Sequence, residues 1–403
     1  MTARLRRTAV GVAAAALIAV PLGSGAVHAS DVAPPDPSPS VSVSASDEFP
    51  LLTPAVAAQL DEAVKKVMAE ARVPGVMVAL SAPGKGEYVR TFGVADKATG
   101  APMATDMNMR IGSVTKTFTV TALLQLVDDG KVGLDDPIGK YVDGVPNGDR
   151  ITLRQLAEMR SGLFNYSADE DFYKALTSDP ERSFTPQELL AYAFEHPVLF
   201  EPGTKFLYCN TNLILLGLVV EKASGAELAD YINREVVAEA GLKHTLFPAG
   251  AEFPSPHAHG YTDQTASGKT EDATNWNPSW GWAAGAMISD LADLRSWAKT
   301  LATGTLLTPA TQAQRLKVIP ALPGAGYGLG IFNVHGWIGH NGSLPGYEAL
   351  TVYLPQPQAT LVVMLNTDID FQGSEPSTLF GEAITKIVTP DHVFSLPAQP
   401  VGH

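Results

Sequence analysis

The sequence predicts an α+β fold: one antiparallel sheet covered by the N- and C-terminal helices, with a mainly helical domain inserted. Three observations carry this. Two β-rich runs near the start, at residues 76–81 and 87–94, flank the turn Pro83-Gly84-Lys85-Gly86 and read as a hairpin. Short apolar runs beyond Tyr327 alternate with turns and read as a meander. Between them the apolar residues recur at helical spacing.

Each element follows in order. Thr53-Pro54 is an N-cap with proline at the first helical position, opening a helix to about Arg72. The hairpin comes next, then a loop to Asn108. A helix is expected over residues 113–129, stopped by Gly130. Residues 164–184 read as irregular, and Thr185-Pro186 starts a short helix. A strongly apolar helix runs from Asn212, capped by Thr211, to Ser224-Gly225. Residues 253–279 are polar and read as a surface excursion. Strands are expected at 328–332, 337–340, 349–354 and 360–366, and a closing helix at 375–388.

Composition bounds the function. Arg4, Arg6 and Arg7, an apolar segment and Val27-His28-Ala29 predict a signal peptide over residues 1–29. The apolar segment is too short for a typical span, so no membrane anchor is expected. Residues 30–50 are Ser/Pro-rich and read as a disordered spacer, 51–390 as the folded domain and 391–403 as a tail. A secreted protein is the result. The net charge of −14 becomes −17 without the three signal arginines, which argues against nucleic acid as a partner. Cys209 is the only cysteine, so no internal disulfide forms.

Ser113-Val114-Thr115-Lys116 stands out. On a helix Ser113, Lys116, Val120, Leu123, Leu124 and Val127 share a face about 100° wide. A lysine on an apolar face loses its proton more easily. A fall from about 10.4 to about 7.4 raises its neutral fraction at pH 7 roughly a thousandfold. It could then deprotonate Ser113, a plausible activated nucleophile. The pattern recurs at Ser296-Trp297-Ala298-Lys299, where serine and lysine point away from the Leu291, Leu294, Ala298 and Leu301 stripe. That copy reads as solvated.

Tyr208 and Asn210 lie two apart in extended chain, so their side chains share a side. A second Tyr-x-Asn, at Tyr231 and Asn233, lies in a helix and diverges. Gly339-His340-Asn341-Gly342-Ser343 ends a strand, where Gly342 would let a substrate backbone approach and an edge could pair with a peptide. His257-Ala258-His259 has no third ligand in sequence, so no metal is expected.

Ser-x-x-Lys, Tyr-x-Asn and a basic residue-x-Gly, in that order, resemble the penicillin-recognising serine hydrolases. The likeness is to the branch of DD-carboxypeptidases, class C β-lactamases, esterases and D-aminopeptidases. It spans roughly residues 51–388 and includes Arg110-Ile111-Gly112-Ser113, Ser161-Gly162-Leu163, Glu201-Pro202-Gly203 and Pro345-Gly346-Tyr347. It implies Ser113 as the acylated nucleophile, Lys116 and Tyr208 as sharing general-base work, and Asn210 as holding the substrate amide. His340, Asn341 and Gly342 would line the site, with an oxyanion hole from the N–H groups of Ser113 and Ser343. Trp280 resembles an aromatic flanking the peptidase cleft, and equally fits a packed loop tryptophan. No cofactor is implied.

Two departures bear on the substrate. Asn341 replaces the usual threonine, and Ile331-Phe332-Asn333-Val334 lacks the upstream arginine that helps hold a terminal carboxylate in DD-peptidase relatives. The first expectation is a D-alanyl-D-alanine carboxypeptidase-like peptidase acting on peptidoglycan stem peptides, with β-lactams as inhibitors or substrates. An esterase, D-aminopeptidase or β-lactamase on the same site, or a non-catalytic penicillin-binding sensor, are the alternatives. No Gly-x-Ser-x-Gly elbow suggests a different serine hydrolase.

Overall fold

A computed structural model describes residues 49–397. The expected signal peptide lies outside them, as does the spacer up to residue 48. The principal sheet has eight strands: β1 (Gly75–Ala82), β2 (Gly86–Gly93), β3 (Ile319–Leu322), β4 (Ala325–Tyr327), β5 (Phe332–Val334), β6 (Trp337–Leu344), β7 (Tyr347–Leu354) and β8 (Ala359–Leu365). Their order is β2-β1-β8-β7-β6-β5-β4-β3, and every pairing is antiparallel. The early hairpin thus joins the late meander through β1 and β8, with Val76 opposite Leu365 and Ser81 opposite Thr360.

Helix α1 (Pro54–Ala71) and the C-terminal helix pack together on one face. The Thr53 hydroxyl accepts from the Val56 N–H, so the predicted cap forms. The helical insertion contributes α2 (Thr115–Asp128), α3 (Leu153–Ala157), α4 (Glu170–Ser178), α5 (Pro186–Phe194) and α6 (Asn210–Ser224). Helix α7 (Leu291–Thr303) lies against β1, β6, β7 and β8, and α8 (Pro376–Val388) is the C-terminal helix. With helices on both faces, every residue of β7 and β8 is buried.

Five expectations change. Residues 164–184 are not irregular throughout: Asp169 caps α4 by accepting from the Phe172 N–H at 2.7 Å. Residues 253–279 are a strap rather than a surface excursion. It buries Ala258, Tyr261, Thr262 and Trp276, and the Tyr261 N–H donates to the Asn366 carbonyl. The expected strand at 328–332 is a turn as far as Ile331, and only Phe332 belongs to a strand, β5. Gly330 takes φ 69°, the Gly328 N–H donates to the Ile331 carbonyl, and the Gly330 N–H reaches the Ala157 carbonyl.

Both domain limits also move. Phe49, assigned to the spacer, is buried in the core. Phe394, assigned to the tail, is buried too, its N–H donating to Thr385 Oγ1 at 2.8 Å. Just before it, the His392 carbonyl accepts from Trp337 Nε1 at 2.7 Å.

Candidate active site

The nucleophile turn forms where α2 begins. Gly112–Val114 is one tight 3-10 turn, so the α-helix proper starts at Thr115 rather than Ser113. Gly112 has φ 49°. A Cβ there would stand 2.7 Å from the Ser343 nitrogen, and one at Gly342 would stand 2.2 Å from the Ile111 carbonyl and 2.7 Å from the Ser113 nitrogen. Two glycines therefore let the nucleophile turn and β6 touch backbone to backbone. Gly342 was expected to admit a substrate backbone; it admits the turn that carries Ser113. The contact brings the Ser113 and Ser343 amides to one place, as an oxyanion hole requires.

Lys116 is fully buried. Its Nζ donates to Ser113 Oγ at 2.8 Å and to the Ala284 carbonyl at 2.8 Å. The Tyr208 ring centroid lies 5.0 Å from Nζ. Burial holds the Lys116 ammonium well below its usual range, and the neighbouring groups named here carry no carboxylate to restore it. The single apolar face expected of α2 understates its setting. The helix is buried all round from Thr115 to Leu124, between α6 and the sheet side, and Val127 is its partly exposed end. The decoy behaves as expected, since Ser296 and Lys299 are exposed on α7 while Trp297 packs inward against Phe118.

Tyr208 is held in its neutral form, its pKa raised chiefly by burial. Asn210 is the first residue of α6, so the pair spans a strand-like segment and a helix start rather than one extended run. Cys209 is the N-cap position, and Thr211 does not cap. The Thr211 hydroxyl accepts from the Tyr166 N–H and donates to the Phe164 carbonyl. Asn210 Nδ2 donates to Ser167 Oγ at 3.1 Å, and its N–H donates to Asn165 Oδ1 at 3.1 Å. Its own Oδ1 is buried without a partner, an acceptor ready for a substrate amide.

His340 is buried, and burial followed by the Lys116 charge pushes its pKa down to about 3. It is a neutral imidazole at physiological pH. Its Nδ1 lies 2.5 Å from the Asn341 carbonyl and its Nε2 3.1 Å from the Tyr327 hydroxyl. A carbonyl only accepts, so Nδ1 carries the proton and Tyr327 donates to Nε2. The third motif therefore supplies no cation here. Asn341 is turned to the other face of the sheet and donates from Nδ2 to a Glu375 carboxyl oxygen at 2.6 Å. Beyond Gly339, β5 no longer pairs with β6, so the edge from His340 to Leu344 faces the nucleophile turn without a strand beside it.

Trp280 ends a 3-10 turn with its ring 6.1 Å from Phe172, and its carbonyl accepts from the Tyr166 hydroxyl at 2.6 Å. It is packed into an aromatic cluster while keeping some exposure. Sequence reasoning missed three participants: the Ala284 carbonyl, Tyr327 and Glu375. Ala284 follows shortly after Trp280 in the sequence, but a backbone acceptor leaves no residue-type signal. His257 and His259 do not converge on one centre: the first turns its Nδ1 to the Pro254 carbonyl and the second to Asp272.

The profile of the family described as Beta-lactamase matches residues 60–377. A D-aminopeptidase of Brucella anthropi is 30% identical over 330 residues, covering 80% of this chain and 61% of its own length. The chain thus spans about three fifths of that relative. A D-stereospecific amidohydrolase from Streptomyces sp. is 30% identical with a TM-score of 0.71, over 77% of this chain and 94% of that one. The D-amino acid amidase from Ochrobactrum anthropi SV3 complexed with D-phenylalanine is 28% identical with a TM-score of 0.69, over 82% and 97%.

Proposed function

Because the chain belongs to the β-lactamase family of serine hydrolases, we propose that it cleaves amide bonds beside D-amino acid residues through a Ser113 acyl-enzyme. The observation that carries the chemistry is Lys116 Nζ, desolvated and 2.8 Å from Ser113 Oγ. Neutral Lys116 takes the Ser113 proton as Oγ bonds to the substrate carbonyl carbon. The Ser113 and Ser343 amides hold the oxyanion, each donor contributing about 2.7–4 kcal/mol. As the C–N bond breaks, the proton passes from Lys116 by way of the Tyr208 phenol to the departing nitrogen. Water, deprotonated by the same pair, then releases the acid and restores Ser113.

The D-amino acid part rests on the named relatives and on the absence of a cation at the third motif. A C-terminal carboxylate, which a D-Ala-D-Ala carboxypeptidase must hold, lacks its usual charge partner here. The test compares steady-state hydrolysis of D-phenylalanine amide, L-phenylalanine amide, a short-chain aryl ester and a cephalosporin. The D-amide is expected to be turned over fastest, and Ser113→Ala to lose all turnover and all covalent labelling by a fluorescent penicillin. Faster turnover of the L-amide, or labelling that survives Ser113→Ala, overturns the proposal.

A further inference from the structure

The open edge of β6 carries fewer free groups than its length suggests. In an antiparallel ladder, alternate residues turn their N–H and C=O to opposite neighbours. Leu344 and Tyr347 close the β6–β7 hairpin around Pro345-Gly346, so Leu344, Gly342 and His340 face β7. On the other side Val334 and Trp337 close the β5–β6 hairpin around His335-Gly336, so Trp337, Gly339, Asn341 and Ser343 face β5. The two hairpins give the same alternation. Pairing with β5 stops at Gly339, which leaves Asn341 and Ser343 to present their backbone groups to the open edge.

A substrate carbonyl held by the Ser343 amide places its own residue opposite Ser343. That residue's N–H can reach the Ser343 carbonyl. Antiparallel pairing then brings the second residue of the leaving group opposite Asn341, where its N–H needs the Asn341 carbonyl. That carbonyl is already engaged, because His340 Nδ1 donates to it across 2.5 Å from the same strand. A carbonyl keeps a second lone pair, so sharing weakens this acceptor rather than abolishing it. The imidazole is held in place. Its Nε2 accepts from the Tyr327 hydroxyl at 3.1 Å, which keeps the proton on Nδ1. The rings of Phe332, Tyr327 and Tyr208 surround it, with centroids 5.0, 5.8 and 6.1 Å away. His340 and Tyr327 are both buried, and both imidazole nitrogens are spent.

We propose that His340 is a specificity-determining residue: it occupies the edge acceptor that a long leaving group would use, and so restricts the protein to short ones such as ammonia, an alcohol or a single amino acid. This rests on the amide-hydrolase reading above and names the leaving-group class within it. His340 acts through the Asn341 carbonyl rather than by touching substrate, so it is a positioning residue. Selection is one-sided. The residue that supplies the carbonyl is gripped as a strand at Ser343, and the part that departs is not.

The test uses two peptides that differ by one N–H: D-phenylalanyl-glycyl-glycinamide, and D-phenylalanyl-glycyl-sarcosinamide, in which the second leaving-group nitrogen is methylated. D-phenylalanine amide, which releases ammonia, is the reference. The wild-type protein is expected to turn over the reference fastest and to separate the two peptides by less than about twofold in kcat/KM, since the N–H gains little. His340→Phe keeps a ring and drops the donor, so the N–H peptide should gain about three- to tenfold over its methylated partner. Where the stranded Tyr327 hydroxyl unfolds that variant, His340→Phe combined with Tyr327→Phe removes the cost and is read in the same way. A wild-type protein that favours the N–H peptide several-fold, or that cleaves either peptide faster than the reference, overturns the proposal, as does a ratio unmoved by the substitution. Turnover of none of the three means that the amide-hydrolase reading fails. The matching esters, with a glycolyl unit in place of the first glycine, then present the same nitrogen to Asn341. A ratio near one that rises in the variant supports the role of His340, and any other result, no turnover included, overturns it.

Discussion

Lys116 works because of what is not beside it. An ammonium buried against a carbonyl, a serine hydroxyl and a phenol has neutral partners only, so its proton is easily lost. The sign for catalysis is direct. Lys116 must be neutral to accept the Ser113 proton, so kcat/KM should fall as pH drops through its depressed pKa. That acid limb should lie well below the ordinary lysine range and vanish in Lys116→Ala, which should lose at least about 10²-fold in rate. His340 stays neutral down to about 3 and should add no limb between pH 5 and 8. Lys299→Ala, in the exposed copy of the motif, should leave the profile unchanged. Ser113 and Lys116 were legible in sequence because one helix turn joins them. The Asn341–Glu375 bond was not, since its residues sit 34 apart on different elements and meet only through tertiary packing.

At the scale of elements, the site depends on how closely β6 and the nucleophile turn approach. Gly342→Ala would place a methyl group against the Ile111 carbonyl and the Ser113 nitrogen. The expected result is a lower Tm together with a kcat loss of about 10²-fold or more, because one displaced strand misplaces an oxyanion donor. Steady-state kinetics and thermal unfolding of the same preparation check it; a normal kcat would show that the turn does not need the glycine. Sequence reasoning found a glycine there but assigned its closeness to substrate, since a strand signal does not say which backbone lies alongside. It likewise took Gly328-Leu329-Gly330-Ile331-Phe332 for a strand. The glycines instead permit a turn, which tertiary hydrogen bonds from Leu329 to Arg315 and from Gly330 to Ala157 hold in place.

Across the whole molecule, the sheet is closed by residues far apart in sequence. The hairpin of β1 and β2 is fixed by β8, nearly three hundred residues on, with Val76 opposite Leu365. Short apolar runs bounded by turn residues made both strands legible, and covering helices follow from the need to bury both faces. The limits of the folded unit were less legible, because Phe49 and Phe394 are single apolar residues in polar surroundings whose burial depends on a surface built elsewhere. Phe394 lies within 2.9 Å of where a Gly381 Cβ would stand, tight against α8. Phe394→Ala should therefore cost about 3 kcal/mol or more of stability, read by denaturant unfolding, although the residue lies far along the chain from Ser113.

The turn at Gly328–Ile331 has one more consequence. Had those residues continued β5, its ladder would run on past Gly339 and cover the edge from His340 to Leu344. A strand edge left bare invites pairing with another copy of the chain, the hazard that leads to aggregation. Here the nucleophile turn guards that edge at close quarters, so a broad β-ribbon cannot dock. What can dock is a single narrow extended segment. The same gap in the ladder thus serves as a doorway for inhibitors: a short backbone mimic that completes the missing hydrogen bonds would occupy it without needing a β-lactam ring.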